Sequence, residues 1–214
     1  MMHLPQSEAM RRNMVDSQLR PSGVNAPWVL AAMLEIPRET YVPGDQSAAY
    51  MDRAVPLGGG RWLNPPVANG QMLVLADLAP TDRVLLIGGG TGYLADVLSR
   101  RVASLVVVEE SAELAATCAA NLPDIHVFQG PLSSGAAEQN GFDVIIIDGA
   151  IAHLPDAVAA QLADDGRVIA GLAEGPVTRL AMGVKRSGHV TLRPVLDMEI
   201  AALPGFAHAK EFVF

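Results

Sequence analysis

The chain is short of the residues that mark several protein classes. Its 214 residues include one cysteine, Cys118, so no intrachain disulfide can form, and the expected compartment is the reducing cytoplasm. Aromatics make up 5% of the chain, and Ala, Val, Leu and Gly carry the apolar half, which suits an α/β fold better than an aromatic-rich sandwich. Positive charge is scarce: the formal net charge is -8, which gives no electrostatic reason to bind nucleic acid or an anionic membrane. Uncharged stretches fall short of the ~20 residues of a membrane span. Met1 to Arg20 carries Glu8, Arg11, Arg12, Asp16 and Arg20, so no apolar signal-peptide core fits there. The histidines His3, His126, His153, His189 and His208 show no metal-ligand spacing, and no metal site is expected.

What is present reads as one domain with three parts. Residues 1–80 form an N-terminal cap and substrate loop. Ser7 to Leu19 predicts a first helix capped by Ser7. Asn25 is the expected cap of a second, with Trp28, Leu30, Ala31, Leu34 and Ile36 on its apolar face. Arg38 to Pro66 is irregular, and Met72 to Leu78 reads as the end of a helix. Residues 81–171 alternate strands and helices. The strands are Val84–Ile87, Leu105–Val108, Ile125–Phe128, Val144–Ile147 and Arg167–Ala170. The helices are Gly92–Arg101, Ser111–Asn121 (capped by Ser111) and Pro155–Leu162. Continuous apolar strands separated by helices predict a Rossmann-like parallel sheet covered on both faces. Residues 172–214 hold an antiparallel hairpin, Val177–Val184 and Val190–Val195 about Ser187-Gly188, and a tail whose Phe212 and Phe214 are expected to dock on the sheet.

The strongest motif is Val84-Leu85-Leu86-Ile87-Gly88-Gly89-Gly90-Thr91-Gly92-Tyr93. A buried strand runs into a glycine-rich turn and then a helix, whose N-terminus suits an anionic group. Glu109 ends the next strand, where a carboxylate can accept hydrogen bonds from ribose hydroxyls. The pair fits an adenosyl ligand. By letter, Gly90 to Ala95 also fits the G-x-G-x-x-A pattern of a dinucleotide site, and spacing alone does not separate the two. The helical and looped N-terminal region and the absence of a Tyr-x-x-x-Lys pair favour methyl transfer.

Several segments, in order, resemble the protein-L-isoaspartate O-methyltransferase family. Met14 to Arg20 looks like its opening helix, and Ile36-Pro37-Arg38-Glu39 with Tyr41-Val42-Pro43 like its "V.PR..FVP" segment. Tyr50 to Gly60 is similar to "Y.D..PIG.G", the glycine turn to "VLEIGTGSGY", Phe142 to Ile145 to "FDAI", and Leu162 to Ile169 to "L..GGRLV". The resemblance implies a carboxyl methyltransferase with S-adenosyl-L-methionine as cofactor and protein or peptide substrates carrying L-isoaspartyl or D-aspartyl residues. Together with the glycine turn and Glu109 it gives an expected cofactor set of Gly88, Gly89, Gly90, Thr91, Gly92, Tyr93, Glu109, Gln129, Gly130 and Asp148, the last standing where the family usually has Thr and small residues. It places Gly60, Trp62, Leu63 and Pro66 at the substrate and Asn64 at the position of the family's active-site hydroxyl residue.

The chain departs from the pattern at informative places. Leu86 stands where the family has an acidic residue, Phe128-Gln129-Gly130 replaces "GDG", and Trp62-Leu63-Asn64-Pro65-Pro66 replaces "T-I-S-x-P". Asn64 offers an amide N–H to an acceptor carboxylate, or it stabilises the Pro65-Pro66 turn. Asp148, in an "FD...VD"-like frame, also resembles the acidic ligand of Mg²⁺-dependent small-molecule O-methyltransferases, and a non-catalytic adenosyl-binding module is the alternative from another class. Monomer and homodimer are both compatible with the sequence.

Overall fold

The computed structural model describes residues 4–206. Phe212, Phe214, His3 and His208 lie outside them. The N-terminal region opens with α1 (Leu4–Met14), which continues into a π-helical turn, Val15–Leu19, that buries Val15 and Leu19. Ser7 is therefore inside the first helix rather than its cap. In α2 (Pro27–Glu35) the preset φ of Pro27 starts the helix at N1, the N-cap is Ala26 without a side-chain bond, and Asn25 is not the cap. The buried face of α2 is Val29, Leu30, Ala32 and Met33. Of the expected stripe Leu30 and Ile36 are buried and Trp28 half-buried, but Ala31 and Leu34 face solvent.

The stretch read as irregular contains a two-stranded hairpin, β1 (Val55–Gly58) and β2 (Arg61–Leu63), paired antiparallel. Its turn runs through Gly58, Gly59 and Gly60 at φ of 95°, 57° and 75°, three successive left-handed residues that only glycine adopts without strain. Next, α3 (Pro66–Ala76) starts on a proline and stops at Asp77, at φ 44°. This helix begins six residues before Met72, because Gly70 and Asn69, poor helix formers, are carried by burial rather than by propensity.

The main sheet has seven strands: β3 (Arg83–Ile87), β4 (Ser104–Glu109), β5 (His126–Gln129), β6 (Phe142–Ile151), β7 (Leu162–Glu174), β8 (Val177–Val184) and β9 (Arg193–Asp197). Their order is β5-β4-β3-β6-β7-β8-β9, parallel from β5 to β7 and antiparallel for β8 and β9. The helices between strands are α4 (Tyr93–Ser99), α5 (Ala112–Asn121) and α6 (Asp156–Ala160). Ser111 caps α5 by accepting from the Leu114 amide at 3.4 Å. The sheet matches the Rossmann-like expectation, with two corrections of extent. Strands β6 and β7 run well past the apolar cores read from sequence, since their ends pair with each other and with β8. The last strand starts at Arg193, because residues 185–192 are turn and irregular chain.

Alternate residues of the parallel strands enter different cores. Val84, Leu86, Val107, Val144 and Ile146 pack with the cap, α3, α4 and α5. Leu85, Ile87, Val108, Ile145 and Ile147 pack with Val158 of α6, Leu132 and Phe206. At ~25 cal/mol per Å² of apolar surface, this two-sided burial dominates folding. The chain runs from β3 through β4 to β5 on one side and then crosses to β6 on the other side of β3, which opens a crevice at the carboxyl ends of β3, β4 and β6. Among the described residues no helix is long and apolar enough to cross a membrane.

Candidate functional site

The glycine turn lies at that switch point. Gly88, Gly90 and Gly92 have φ of 88°, 55° and 105°. Gly89 is needed for packing: a Cβ there would stand 2.4 Å from Val107 Cγ1. The amides of Gly88 and Gly89 donate to the Val108 carbonyl at 2.9 and 3.2 Å, and that of Gly92 donates to the Gly89 carbonyl at 3.0 Å. Thr91 is buried; its hydroxyl donates to the Tyr41 carbonyl at 2.6 Å, which ties the turn to the cap. Tyr93 is fully buried beneath Arg38 and against Tyr41.

Glu109 ends β4 with no solvent exposure. Its Oε2 accepts from the Gly90 amide at 2.7 Å, and its Oε1 from the amides of Glu110 and Ser111 at 2.9 and 3.1 Å. Its remaining partner is Arg61, on β2 of the hairpin. One guanidinium nitrogen is 3.1 Å from Oε2 and the other 3.4 Å from Oε1, a two-pronged contact with the Arg61 side chain 6% exposed. Arg61 lies on the turn itself: a carbon added to Gly88 would be 3.2 Å from its Nη2 and 3.3 Å from Leu203 Cδ1. A carbon added to Gly90 would be 3.0 Å from Leu57 Cδ1 of β1.

Leu203 reaches this place through the sheet. At its end, β6 pairs with β7 along one edge, Ala150 opposite Gly171. On the other edge, which β3 leaves when it turns at Gly88, Ala150 donates to the Ala201 carbonyl and accepts from the Leu203 amide, both at 2.8 Å. The segment 201–203 thus continues the position of β3 and lays Leu203 over Gly88 and Gly149.

A second buried polar group lies beside it. Asp148 Oδ1 accepts from Asn64 Nδ2 at 2.7 Å and Asn69 Nδ2 at 3.1 Å. Burial pushes the Asp148 carboxyl up from its ordinary 3.8, and the Asn64 amide, Arg61 and Arg38 pull it back only in part. Asn64 Oδ1 in turn accepts from the Ala201 amide at 2.8 Å, so Asn64 joins β6 to the 201–203 segment while itself fully buried. Arg38 ties this group to the cap. It donates to the Ala49 carbonyl at 2.8 Å, Asn69 Oδ1 at 3.2 Å and the Asn64 carbonyl, and lies 4.5 Å over the Tyr93 ring. Burial holds its guanidinium below the ordinary value.

The structure therefore gathers Gly88 to Gly92, Glu109, Asn64 and Asp148 at one end of the sheet. Gln129, exposed, and Gly130, half-buried, line a separate hollow of about 300 Å³ with Val108, Phe128 and Ser134. It adjoins the same strand end, since the Gly130 amide donates to the Glu109 carbonyl at 3.1 Å. Gly60 and Trp62 line an opening of about 440 Å³ with Glu199 and Leu203, where Trp62 is 44% exposed. Leu63 and Pro66 point into the core. Among the described residues no three His, Cys, Asp or Glu are grouped as metal ligands. Arg61, Asn69 and Leu203 went unnoticed in the sequence. Arg61 had a signal: it is the sole charged residue between Arg53 and Asp77.

The donor set at the turn is of the kind an adenosyl group uses, but as folded it does not fit one. Every acceptor position of Glu109 is engaged, and Arg61, Leu203 and Leu57 fill the space over the glycines.

Comparison with known proteins places the chain. The family model described as Protein-L-isoaspartate(D-aspartate) O-methyltransferase (PCMT) matches residues 10–202. A protein-L-isoaspartate O-methyltransferase of Koribacter versatilis is 35% identical over 201 residues, covering 91% of this chain and 90% of its own. One from Roseiflexus castenholzii is 37% identical over 200 residues with the same coverage. Two solved structures share the fold. One is a protein-L-isoaspartate O-methyltransferase with a TM-score of 0.79 at 24% identity, covering 92% of this chain and 67% of that one. The other is described as a protein-L-isoaspartate O-methyltransferase from Plasmodium falciparum in complex with S-adenosyl-L-homocysteine. Its TM-score is 0.76 at 19% identity, covering 93% of this chain and 98% of that one. The match spans the β1–β2 hairpin that roofs the crevice as well as the sheet, and the chain belongs to the protein-L-isoaspartate O-methyltransferase family of S-adenosylmethionine-dependent methyltransferases.

Proposed function

We propose that this chain methylates the free carboxylate of L-isoaspartyl or D-aspartyl residues in protein or peptide substrates. The observation that carries the reading is the continuous family match over residues 10–202, which includes the hairpin roof as well as the glycine turn. In this reading residues 1–80 act as cap and substrate loop, 81–171 as the cofactor core and 172–214 as the closing strands and tail.

The chemistry makes modest demands. A carboxylate acceptor has an ordinary pKa near ~4, so it is ionised at neutral pH and needs no general base. The protein must hold it, exclude water and align it for in-line displacement. The opening beside Trp62 and Leu203 is the entry assigned to the acceptor side chain, with exposed Trp62 as an apolar platform. Asn64 uses one amide N–H on Asp148. The second N–H is the donor this reading assigns to the acceptor carboxylate, reached when the 201–203 segment lifts.

The test is transfer of a tritiated methyl group to an isoaspartyl peptide, with its aspartyl isomer as control. Base-labile label on the isoaspartyl peptide alone is the expected result. Label on neither, from protein that binds S-adenosylhomocysteine, would overturn the assigned acceptor.

A further inference from the structure

The roof residue Arg61 occupies the carboxylate that a ribose needs. Glu109 has room for few partners: three backbone amides take its inner lone pairs, and the Arg61 guanidinium takes the outer ones at 3.1 and 3.4 Å. The same guanidinium is within 3.2 Å of where a side chain on Gly88 would begin. Glu109 therefore cannot accept from a ribose hydroxyl until Arg61 leaves. The amides stay behind to hold the carboxylate in place, so the seat survives the departure.

Arg61 is also built to leave. It belongs to a three-residue strand of a two-stranded hairpin that stands apart from the main sheet, beyond a turn of three glycines. Its neighbours Gly60 and Trp62 face outward onto the opening that Glu199 and Leu203 also line. The Arg61 guanidinium itself faces inward, but it shares the space over Gly88 with Leu203, which lines that opening, so a guanidinium released from Glu109 past Leu203 would meet an incoming acceptor carboxylate there.

We infer that Arg61 is an internal competitor for the cofactor site and couples cofactor to acceptor: a carboxylate at the mouth draws Arg61 from Glu109, and the adenosyl group takes the vacated position. The inference rests on the proposed carboxylate acceptor. Coupling is reciprocal, so each ligand tightens the other. Arg61 acts here through Glu109, as a positioning residue.

The test is calorimetric titration of S-adenosylhomocysteine into wild type, Arg61→Gln and Arg61→Lys, each with and without saturating isoaspartyl peptide. Thermal melts first establish that each variant is folded. In wild type the peptide is expected to tighten binding about tenfold. Arg61→Gln is expected to bind S-adenosylhomocysteine about tenfold more tightly than wild type without peptide, and to lose the tightening by peptide. Arg61→Lys, which keeps the charge without the two-pronged contact, is expected to fall between them and retain some coupling. Measurable binding that is equal in wild type and Arg61→Gln, with the same response to peptide, would overturn the latch and leave the methyltransferase reading intact. Binding by wild type that the peptide does not affect, alongside tighter binding by Arg61→Gln, would overturn the coupling through an acceptor carboxylate. No binding by any of the three proteins would overturn the latch and the cofactor assignment together.

Discussion

Arg38 and Arg61 are both buried under the roof of the crevice, yet their surroundings differ. Arg38 is held by neutral groups: two carbonyls, one side-chain amide oxygen and the face of Tyr93. These partners come from the cap loop, the β2–α3 connection and α3, so the guanidinium joins three segments at once. Among the described residues the Arg61 side chain is held by the Glu109 carboxylate. The first arrangement is a joint that cannot be opened without leaving several buried acceptors unpaired. The second is a single contact whose carboxylate stays solvated by backbone amides when it breaks. The same residue type thus serves as a structural tie at one position and as a movable group at the other.

Removal of each guanidinium is the direct way to break this comparison. Arg38→Met is expected to have the largest effect, about 3 to 5 kcal/mol lost in urea unfolding, since it leaves the carbonyls of Ala49 and Asn64 and the side-chain oxygen of Asn69 buried without their donor. Arg61→Gln is expected to lose less, about 2 kcal/mol, because the amides of Gly90, Glu110 and Ser111 continue to stabilise Glu109. Equal losses would mean that Arg61 is as much a tie as Arg38.

Asp148 sharpens the contrast from the acidic side. Its folded pKa is raised, mainly by burial. The stability associated with its protonated form is then fully present below the unfolded value of 3.8 and lost as pH rises through the folded value. Asp148→Asn keeps an acceptor for the Asn64 and Asn69 amides and removes the charge. Its melting temperature is expected to equal or exceed that of wild type at pH 7, by a few degrees at most, with the difference closing in acid. A lower melting temperature at pH 7 would mean that the Asp148 charge is needed to balance Arg38 and Arg61.

The sheet and the glycine turn were legible because their signals are local. Val84 to Ile87 and Val144 to Ile147 are continuous apolar runs, Ser111 precedes a helical stretch, and glycines mark the turn. Ala31 and Leu34 of α2 were misplaced because which face is inside depends on what packs there, and α2 is apolar nearly all round. The hairpin at Arg61 was hidden because its strands are only four and three residues long, and a period of two cannot be detected over such lengths. The closed state of the site was the least accessible feature. It depends on Arg61 meeting Glu109 across 48 residues and on Ala201 meeting Asn64 across 137, and no local pattern records such meetings.

Cys118 gives the smallest effect and a way to see whether the latch opens without disturbing what lies beneath it. Its sulfur faces the underside of the turn, 3.2 Å from where a Cβ on Gly92 would stand. Burial, helped by the Glu109 charge, pushes the thiol up to about 12. The thiolate is the reactive form, so at pH 8 the folded protein is expected to resist a disulfide reagent for hours and to react only as fast as it unfolds. Arg38→Met should react faster in proportion to its lost stability. Arg61→Gln should do the same in smaller measure, with no additional acceleration, because the departure of Arg61 exposes the upper side of the turn and leaves Gly92 packed on Cys118 and Leu122. Labelling of Arg61→Gln well beyond its loss of stability would show that the guanidinium also holds the glycine turn down, making it a tie of the same kind as Arg38.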